Sequence, residues 1–334
     1  MRAIVLFSGG LDSLLTTRVL QKQGIEVIGL NIATPFHDHS ESVRKEADVL
    51  EIELIVHHTD NKYIELIAHP RFGYGKSANP CIDCRIEMCR VAGKYMEQYN
   101  AGFVATGEIV GQRPNNQMQH QLNLIQQESG LEGYLVRPLS AKIMNPTQPE
   151  LKGWIDRKKL YSYTGRGRGR AIALAHRLGI KKIPPMSTGC FLCEKSYAPK
   201  VFDLFKHEPQ PTNWDADVLN AGRQLRISPQ IKIVLGRNEN HCKRLEELFV
   251  RSDARPAILL IPESFQGPTA LLIGHEIQEY IELAGTLIFR YTNPNKYDPA
   301  TATIRICHNS NPNSNNPIVI PVTKNKEVQD FSIR

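Results

Sequence analysis

Two residue patterns in this chain can do chemistry. The first is Ser8-Gly9-Gly10-Leu11-Asp12-Ser13. Adjacent glycines let the backbone close on a ligand and turn N–H groups toward it, the serines add hydroxyl donors, and a helix start favours an anion. A phosphate suits such a segment. It lacks the lysine of a Walker loop and does not match the dinucleotide fingerprint G-x-G-x-x-G. The second pattern is two Cys-x-x-Cys pairs, Cys81/Cys84 and Cys190/Cys193, among seven cysteines. In a reducing compartment such pairs serve as metal ligands or reactive thiols rather than structural disulfides. The four thiols suit a structural zinc site.

The elements that must hold these residues follow from the apolar pattern. Residues 2–7, 25–32, 52–57 and 102–106 read as strands, and 13–22, 40–50 and 85–98 as helices between them. Alternation of this kind predicts an α/β fold, a parallel twisted sheet with helices on both faces and ligands beyond the C-terminal strand ends. The phosphate loop and the turn after 102–106 both fall at those ends. Residues 150–180 read as helix broken by GRGRGR, and 200–216 as a connection. With a boundary at 208, the expected domains are 1–207 and 208–334. The second is a smaller α/β or α+β module, with strands at 231–235, 257–261, 270–273, 286–290 and 317–322, helices at 239–250 and 275–284, and a mobile polar loop at 309–316.

A length of 334 residues favours two domains, and 41% hydrophobic residues with no run of membrane-spanning length exclude an integral helical membrane protein. The N-terminal apolar run is too short for a signal peptide, so the expected location is cytoplasmic. A net charge of +7 permits a polyanionic partner.

SGGLDS resembles the pyrophosphate loop of the N-type ATP pyrophosphatases (the PP-loop superfamily). That resemblance implies binding of ATP with Mg2+ through Ser8, Gly9, Gly10, Asp12 and Ser13, with Asp12 catalytic and near the metal-bound phosphates; Asn31, Thr106 and Gly107 are expected beside the nucleotide. Thr106-Gly107-Glu108-Ile109-Val110-Gly111-Gln112, then Arg137-Pro138-Leu139-Ser140 and Lys142, resemble the tRNA 4-thiouridine synthases. Lys142 is then the candidate catalytic lysine, with Ala141 standing where that family usually has an aspartate. Asn79-Pro80-Cys81-Ile82-Asp83-Cys84 and Ser187-Thr188-Gly189-Cys190-Phe191 resemble segments of the tRNA 2-thiouridylases.

These likenesses imply an ATP-dependent tRNA sulfurtransferase. Adenylation turns a uracil carbonyl oxygen into a leaving group, and a sulfur nucleophile from a donor, sulfide or a persulfide carrier, displaces AMP. The cysteines can serve in two ways. Cys81, Cys84 and Cys190 can hold a [4Fe–4S] cluster, or Cys190 can carry a persulfide that Cys84 or Cys193 resolves. The zinc site on all four, with Cys193 the extra ligand, stays open beside them. A different class, an ATP pyrophosphatase acting on a small molecule, and a non-catalytic RNA-binding protein are the alternatives.

Tyr161 and Tyr163 precede Arg166, Arg168 and Arg170, which alternate with glycine. Such arginines bind phosphates without sequence preference while tyrosines stack on bases, so the segment is expected to contact tRNA. Gly236-Arg237-Asn238 resembles a motif of the RNA-binding domain of the ribosome-quality-control (NFACT) family, which adds Arg237 and Asn238 to the expected RNA contacts.

Overall fold

The computed structural model describes residues 1–37, 40–114, 116–185, 189–275, 277–293, 298, 301–309, 311–319 and 331–333, with Ser40 and residues 311–319 described in backbone only. The chain divides into two compact units, Met1–Cys193 and Glu194–Arg334. That division lies ahead of the expected one at 208. The helix that precedes 208 is tied into the second unit, where Arg226 grips Asp203 at 2.7 Å.

In the first unit the order is β1 (Arg2–Leu6), α1 (Leu11–Gln21), β2 (Glu26–Ala33), α2 (Ser40–Leu50), β3 (Glu53–His58), α3 (Asn61–Ala68), α4 (Cys81–Gln98), β4 (Phe103–Ala105), α5 (Gln119–Glu128), β5 (Leu135–Val136), α6 (Gln148–Leu151) and α7 (Gly169–Arg177). The five strands form one parallel sheet in the order β3-β2-β1-β4-β5. Successive side chains of a strand face opposite ways, and β1 shows what that requires. Ala3 and Val5 pack in one apolar cluster with α1, α2 and α7, while Ile4 and Leu6 pack in another with α4. Both faces are covered, as expected of a parallel sheet. The strand order reverses at β1, with β2 and β3 on one side and β4 and β5 on the other, and the C-terminal ends of β1 and β4 mark the crevice where such sheets bind ligands.

The second unit runs α8 (Ala198–His207), α9 (Asn213–Asn220), β6 (Arg223–Ser228), β7 (Ile231–Leu235), α10 (Glu239–Phe249), β8 (Ala257–Pro262), β9 (Ala270–Ile273), α11 (Ile281–Arg290), β10 (Thr303–His308) and β11 (Asn311–Val319). Its six strands are antiparallel, in the order β11-β10-β8-β9-β7-β6, which makes it the α+β alternative. Three expectations fail here. Residues 286–290 continue α11 instead of forming a strand, because Ile281, Ala284, Leu287 and Ile288 recur at helical spacing on one buried face. The polar stretch from Asn311 is a strand, not a loop, held by backbone pairing with β10; residues 320–322 lie outside the described ones. Residues 200–216 are not a mere connection, since α8 and α9 occupy most of them.

Candidate functional site

The loop after β1 is built for close approach. Gly9 has φ +68°, a left-handed conformation that glycine adopts without strain. Gly10 is the N-cap of α1, which receives no side-chain cap, so first-turn N–H groups point at the crevice. Ser8 Oγ accepts from Gly10 N at 3.4 Å, and Ser13 Oγ donates to the Gly10 carbonyl at 2.8 Å. Both serines shape the loop that would wrap an anion. Asn31, at the end of β2, donates its amide to the Phe7 carbonyl at 3.0 Å and so fixes the strand end that launches the loop.

The turn after β4 packs onto this loop. A Cβ on Gly107 would lie 2.6 Å from the Asp12 carbonyl carbon and oxygen, so only glycine allows the contact. Gln112 Nε2 donates to Asp12 Oδ2 at 3.0 Å. Burial pushes the Asp12 carboxyl above its ordinary range, while Gln112 and the charges of Arg168 and Arg113 oppose the rise. Thr106 is buried and gives its hydroxyl to Glu108 at 3.0 Å. Glu108 in turn lies between Arg137 (3.0 Å) and Arg85 (3.2 Å). Burial alone would raise that carboxyl, but the two guanidiniums outweigh it and hold it below its ordinary value. This triad is the rigid base of the turn.

Lys142 sits in a short 3-10 helix, Ala141–Ile143, and its ammonium donates to the Lys158 carbonyl at 2.8 Å. To meet a phosphate it must release or share that bond. Of the glycine-spaced arginines, Arg166 and Arg170 are exposed. Arg168 instead donates to the Pro184 carbonyl at 3.1 Å, and its charge helps to oppose the rise of the Asp12 carboxyl; Gly165 N donates to the Val110 carbonyl at 2.8 Å. The segment is thereby tied to the turn after β4.

The two Cys pairs converge. Cys81 opens α4, where the helix dipole favours an anion. Cys193 donates its S–H to Cys81, and Asn79 Nδ2 donates to the Cys81 sulfur at 3.0 Å. Together with Arg85 and Arg113 these lower the Cys81 thiol to about 6 despite burial. Cys193 moves the opposite way, because it holds the proton of the pair. Burial, then the neighbouring Cys84, pushes Cys190 up to about 12. Cys84 is raised by burial and meets the Tyr63 hydroxyl at 3.0 Å. A cluster or zinc would want such soft donors. Among the described residues no three His, Cys, Asp or Glu side chains stand together around one point that a metal ion could occupy. Ser187 and Thr188, which precede the second pair, lie outside the described residues.

In the second unit Asn238 is the N-cap of α10, its side chain accepting from His241 N at 2.9 Å. Arg237 is exposed beside it. Burial and the Arg237 charge lower both Lys200 and His241, so three basic groups gather where α10 begins.

Sequence reasoning did not single out Gln112, Arg113, Asn79 or Tyr63. The first lies inside the quoted Thr106–Gln112 motif and Asn79 inside the Asn-Pro-Cys motif, so a signal existed for both. Tyr63 reaches Cys84 across 21 residues and carries no local signal.

Comparison with known proteins agrees with this division. Residues 1–148 match the family model described as the tRNA methyl transferase HUP domain, and residues 222–332 match that of the NFACT protein RNA binding domain. The tRNA-specific 2-thiouridylase MnmA 2 of Fusobacterium nucleatum is 33% identical over 113 residues, 32% of this chain and 33% of that protein. The tRNA-specific 2-thiouridylase MnmA of Enterococcus faecalis is 26% identical over 214 residues, 59% of this chain and 54% of that protein. The chain therefore spans between about a third and about a half of the length of these relatives. A 4-thiouridine synthetase, solved as an RNA complex with bound ATP, is 22% identical with a TM-score of 0.36, covering 54% of this chain and 51% of that one. The likeness to the PP-loop, tRNA-thiolase-like superfamily and to the NFACT RNA-binding module thus holds at both ends of the chain. No helix among the described residues is long and apolar enough to cross a membrane.

Proposed function

We propose that this chain is an ATP-dependent tRNA sulfurtransferase, with the first unit performing the chemistry and the second gripping tRNA. The observation that carries this reading is the convergence of four thiols in the same unit as a loop that suits a pyrophosphate. The N-terminal likeness to thiouridylases and the C-terminal match to an RNA-binding domain support it.

ATP is held by the backbone and hydroxyls of Ser8–Ser13, with Asp12 directed at the Mg2+-bound phosphates. A uracil carbonyl oxygen attacks the α-phosphorus, the bond to the β-phosphate oxygen breaks, and pyrophosphate leaves. Lys142 offsets phosphate charge once released from the Lys158 carbonyl. Sulfur enters through the thiols, and no step here runs through a metal cluster. Cys81 is the best placed to receive it, because it is the one held as a thiolate. Its sulfur attacks the terminal sulfur of a persulfide donor, whose own thiolate departs. The resulting Cys81 persulfide attacks the adenylated carbon; the carbon–oxygen bond breaks and the oxygen leaves on AMP. Cys193 then attacks the Cys81 sulfur, forming a disulfide and releasing the thiouridine. Its raised thiol stems first from its bond to anionic Cys81, so it relaxes once that charge is gone. A dithiol reductant restores the pair. Cys190, expected to carry the persulfide, is the more weakly ionised thiol and serves better as a neutral neighbour in this reading.

The test is tRNA-dependent release of pyrophosphate and AMP from ATP and Mg2+. Release that rises with tRNA and is lost in Asp12→Asn is the expected result. Release indifferent to tRNA would point to a small-molecule acceptor.

A further inference from the structure

A grip on tRNA can be made in two ways, and they need different side chains. Solvated cations hold any phosphate, paired or not, whereas a flat exposed side chain holds a base only where that base has left its helix.

One end of the six-stranded sheet carries both kinds of group. Tyr291 caps the C-terminal end of α11 and is 39% exposed. The guanidinium carbon of Arg223, the first residue of β6, stands over its ring, 4.0 Å from the centroid. Sheet register brings this pair beside Gly236-Arg237-Asn238. Arg223 lies opposite Leu235, the last residue of β7, and a Cβ on Gly222 would run into the Leu235 carbonyl, so the two backbones stay in contact up to Gly236. The loop 267–269 closes the other side. Gly236 N donates to the Thr269 carbonyl at 2.9 Å, and a Cβ on Gly267 would lie 2.6 Å from the hydroxyl of Thr292, the residue after Tyr291. Arg237, next along, is exposed.

The partners of these arginines set them apart. Arg226, Arg255 and Arg305 are each paired with an acid, but neither Arg223 nor Arg237 is, among the described residues. A guanidinium stacked on a ring keeps its N–H edge for a ligand, and guanidinium and ring together offer a base a further plane to stack on. Resting on the reading that the second unit grips tRNA, we propose that Arg223 and Tyr291 form a stacking platform for one unpaired base of the RNA, with Arg237 holding a neighbouring phosphate. A base inside a duplex cannot use the platform, because both its faces are already covered.

The experiment measures the affinity of the full chain for tRNA, a short single-stranded RNA and a blunt RNA duplex. Tyr291→Leu, which keeps apolar bulk without the ring, is expected to weaken the single strand about tenfold and leave the duplex unchanged. Tyr291→Phe keeps both affinities. Arg223→Met, of similar length but without plane or charge, gives the same selective loss as Tyr291→Leu. Arg237→Ala weakens both RNAs and lowers each slope of log affinity against log salt by about one. If Tyr291→Leu and Arg223→Met leave the single strand unaffected, or weaken both RNAs alike, while the wild type binds tRNA, the platform falls and the RNA grip stands. If the wild type binds none of the three at low salt, both fall.

Discussion

The two units use charge in opposite ways. In the first, charged side chains are drawn inward and converge. Glu108 is 3% exposed between two arginines, Asp12 is held by Gln112, and the Cys81 thiol, at a helix start, is lowered to about 6. In the second, arginines are instead committed to acids in ion pairs: Arg226 to Asp203 (2.7 Å), Arg255 to Asp215 (2.6 Å) and Arg305 to Glu263 (2.8 Å). One candidate for a polyanion is the exposed Arg237, with Lys200 and His241 beside it. The lesson is that a site for chemistry needs burial to shift its groups, whereas a grip on a phosphate backbone needs charges that stay solvated and uncommitted.

The largest expected effect concerns the buried triad. Glu108→Gln leaves two guanidiniums without their counter-charge and should cost about 3–5 kcal/mol, read as a drop in the melting temperature of the first unit. Because the folded carboxyl is held below its ordinary value, its contribution is complete above the ordinary carboxylate range and is lost as pH falls through the lowered value. A wild-type-like melt at neutral pH would break the contrast between the units.

Next is Gly107→Ala, whose added Cβ meets the Asp12 backbone. Displacing the loop by a fraction of an ångström to an ångström should reduce pyrophosphate release by about 100-fold, with tRNA affinity unchanged in a filter-binding assay. A paired substitution then sharpens the comparison. Arg168→Ala should slow pyrophosphate release about tenfold at saturating tRNA. Arg237→Ala should leave that rate alone, weaken tRNA binding, and lower the slope of log affinity against log salt by about one. Equal effects of both variants on the salt slope would place Arg168 with the RNA.

The smallest effect is a shift of pH dependence. Cys81 alkylation should rise with pH through about 6, far below the usual thiol range. In Cys193→Ala that midpoint should move upward, because the bond from Cys193 is the largest cause of the low value. An unmoved midpoint would remove Cys193 from the account.

The sequence made the phosphate loop legible because its requirements are local: two glycines at a strand–helix junction and an aspartate in the first helical turn. Pairing of the cysteines was legible from spacing, but the identity of the ionised one was not. That depends on Asn79, on the start of α4 and on Cys193, which is 112 positions along the chain from Cys81. Arg168 is a similar case. Its glycine-spaced setting speaks of a flexible RNA contact, yet its hydrogen bond to the Pro184 carbonyl comes from tertiary packing. In the second unit, Thr286–Arg290 reads as a strand because of its β-branched and aromatic residues, and the buried face of α11 overrides that preference. The first part of the strand from Asn311, residues 311–316, has no apolar signal, because its pairing with β10 is made by the backbone.

The most direct test of the central claim is the nucleoside content of tRNA after incubation with the full chain, ATP, Mg2+, a persulfide donor and a dithiol reductant, measured by mass spectrometry alongside AMP. One thiolated uridine gaining the mass of sulfur for oxygen, formed in equal amount to AMP and absent with Cys81→Ser, is the expected result. An unchanged nucleoside profile, with AMP still produced, would contradict it.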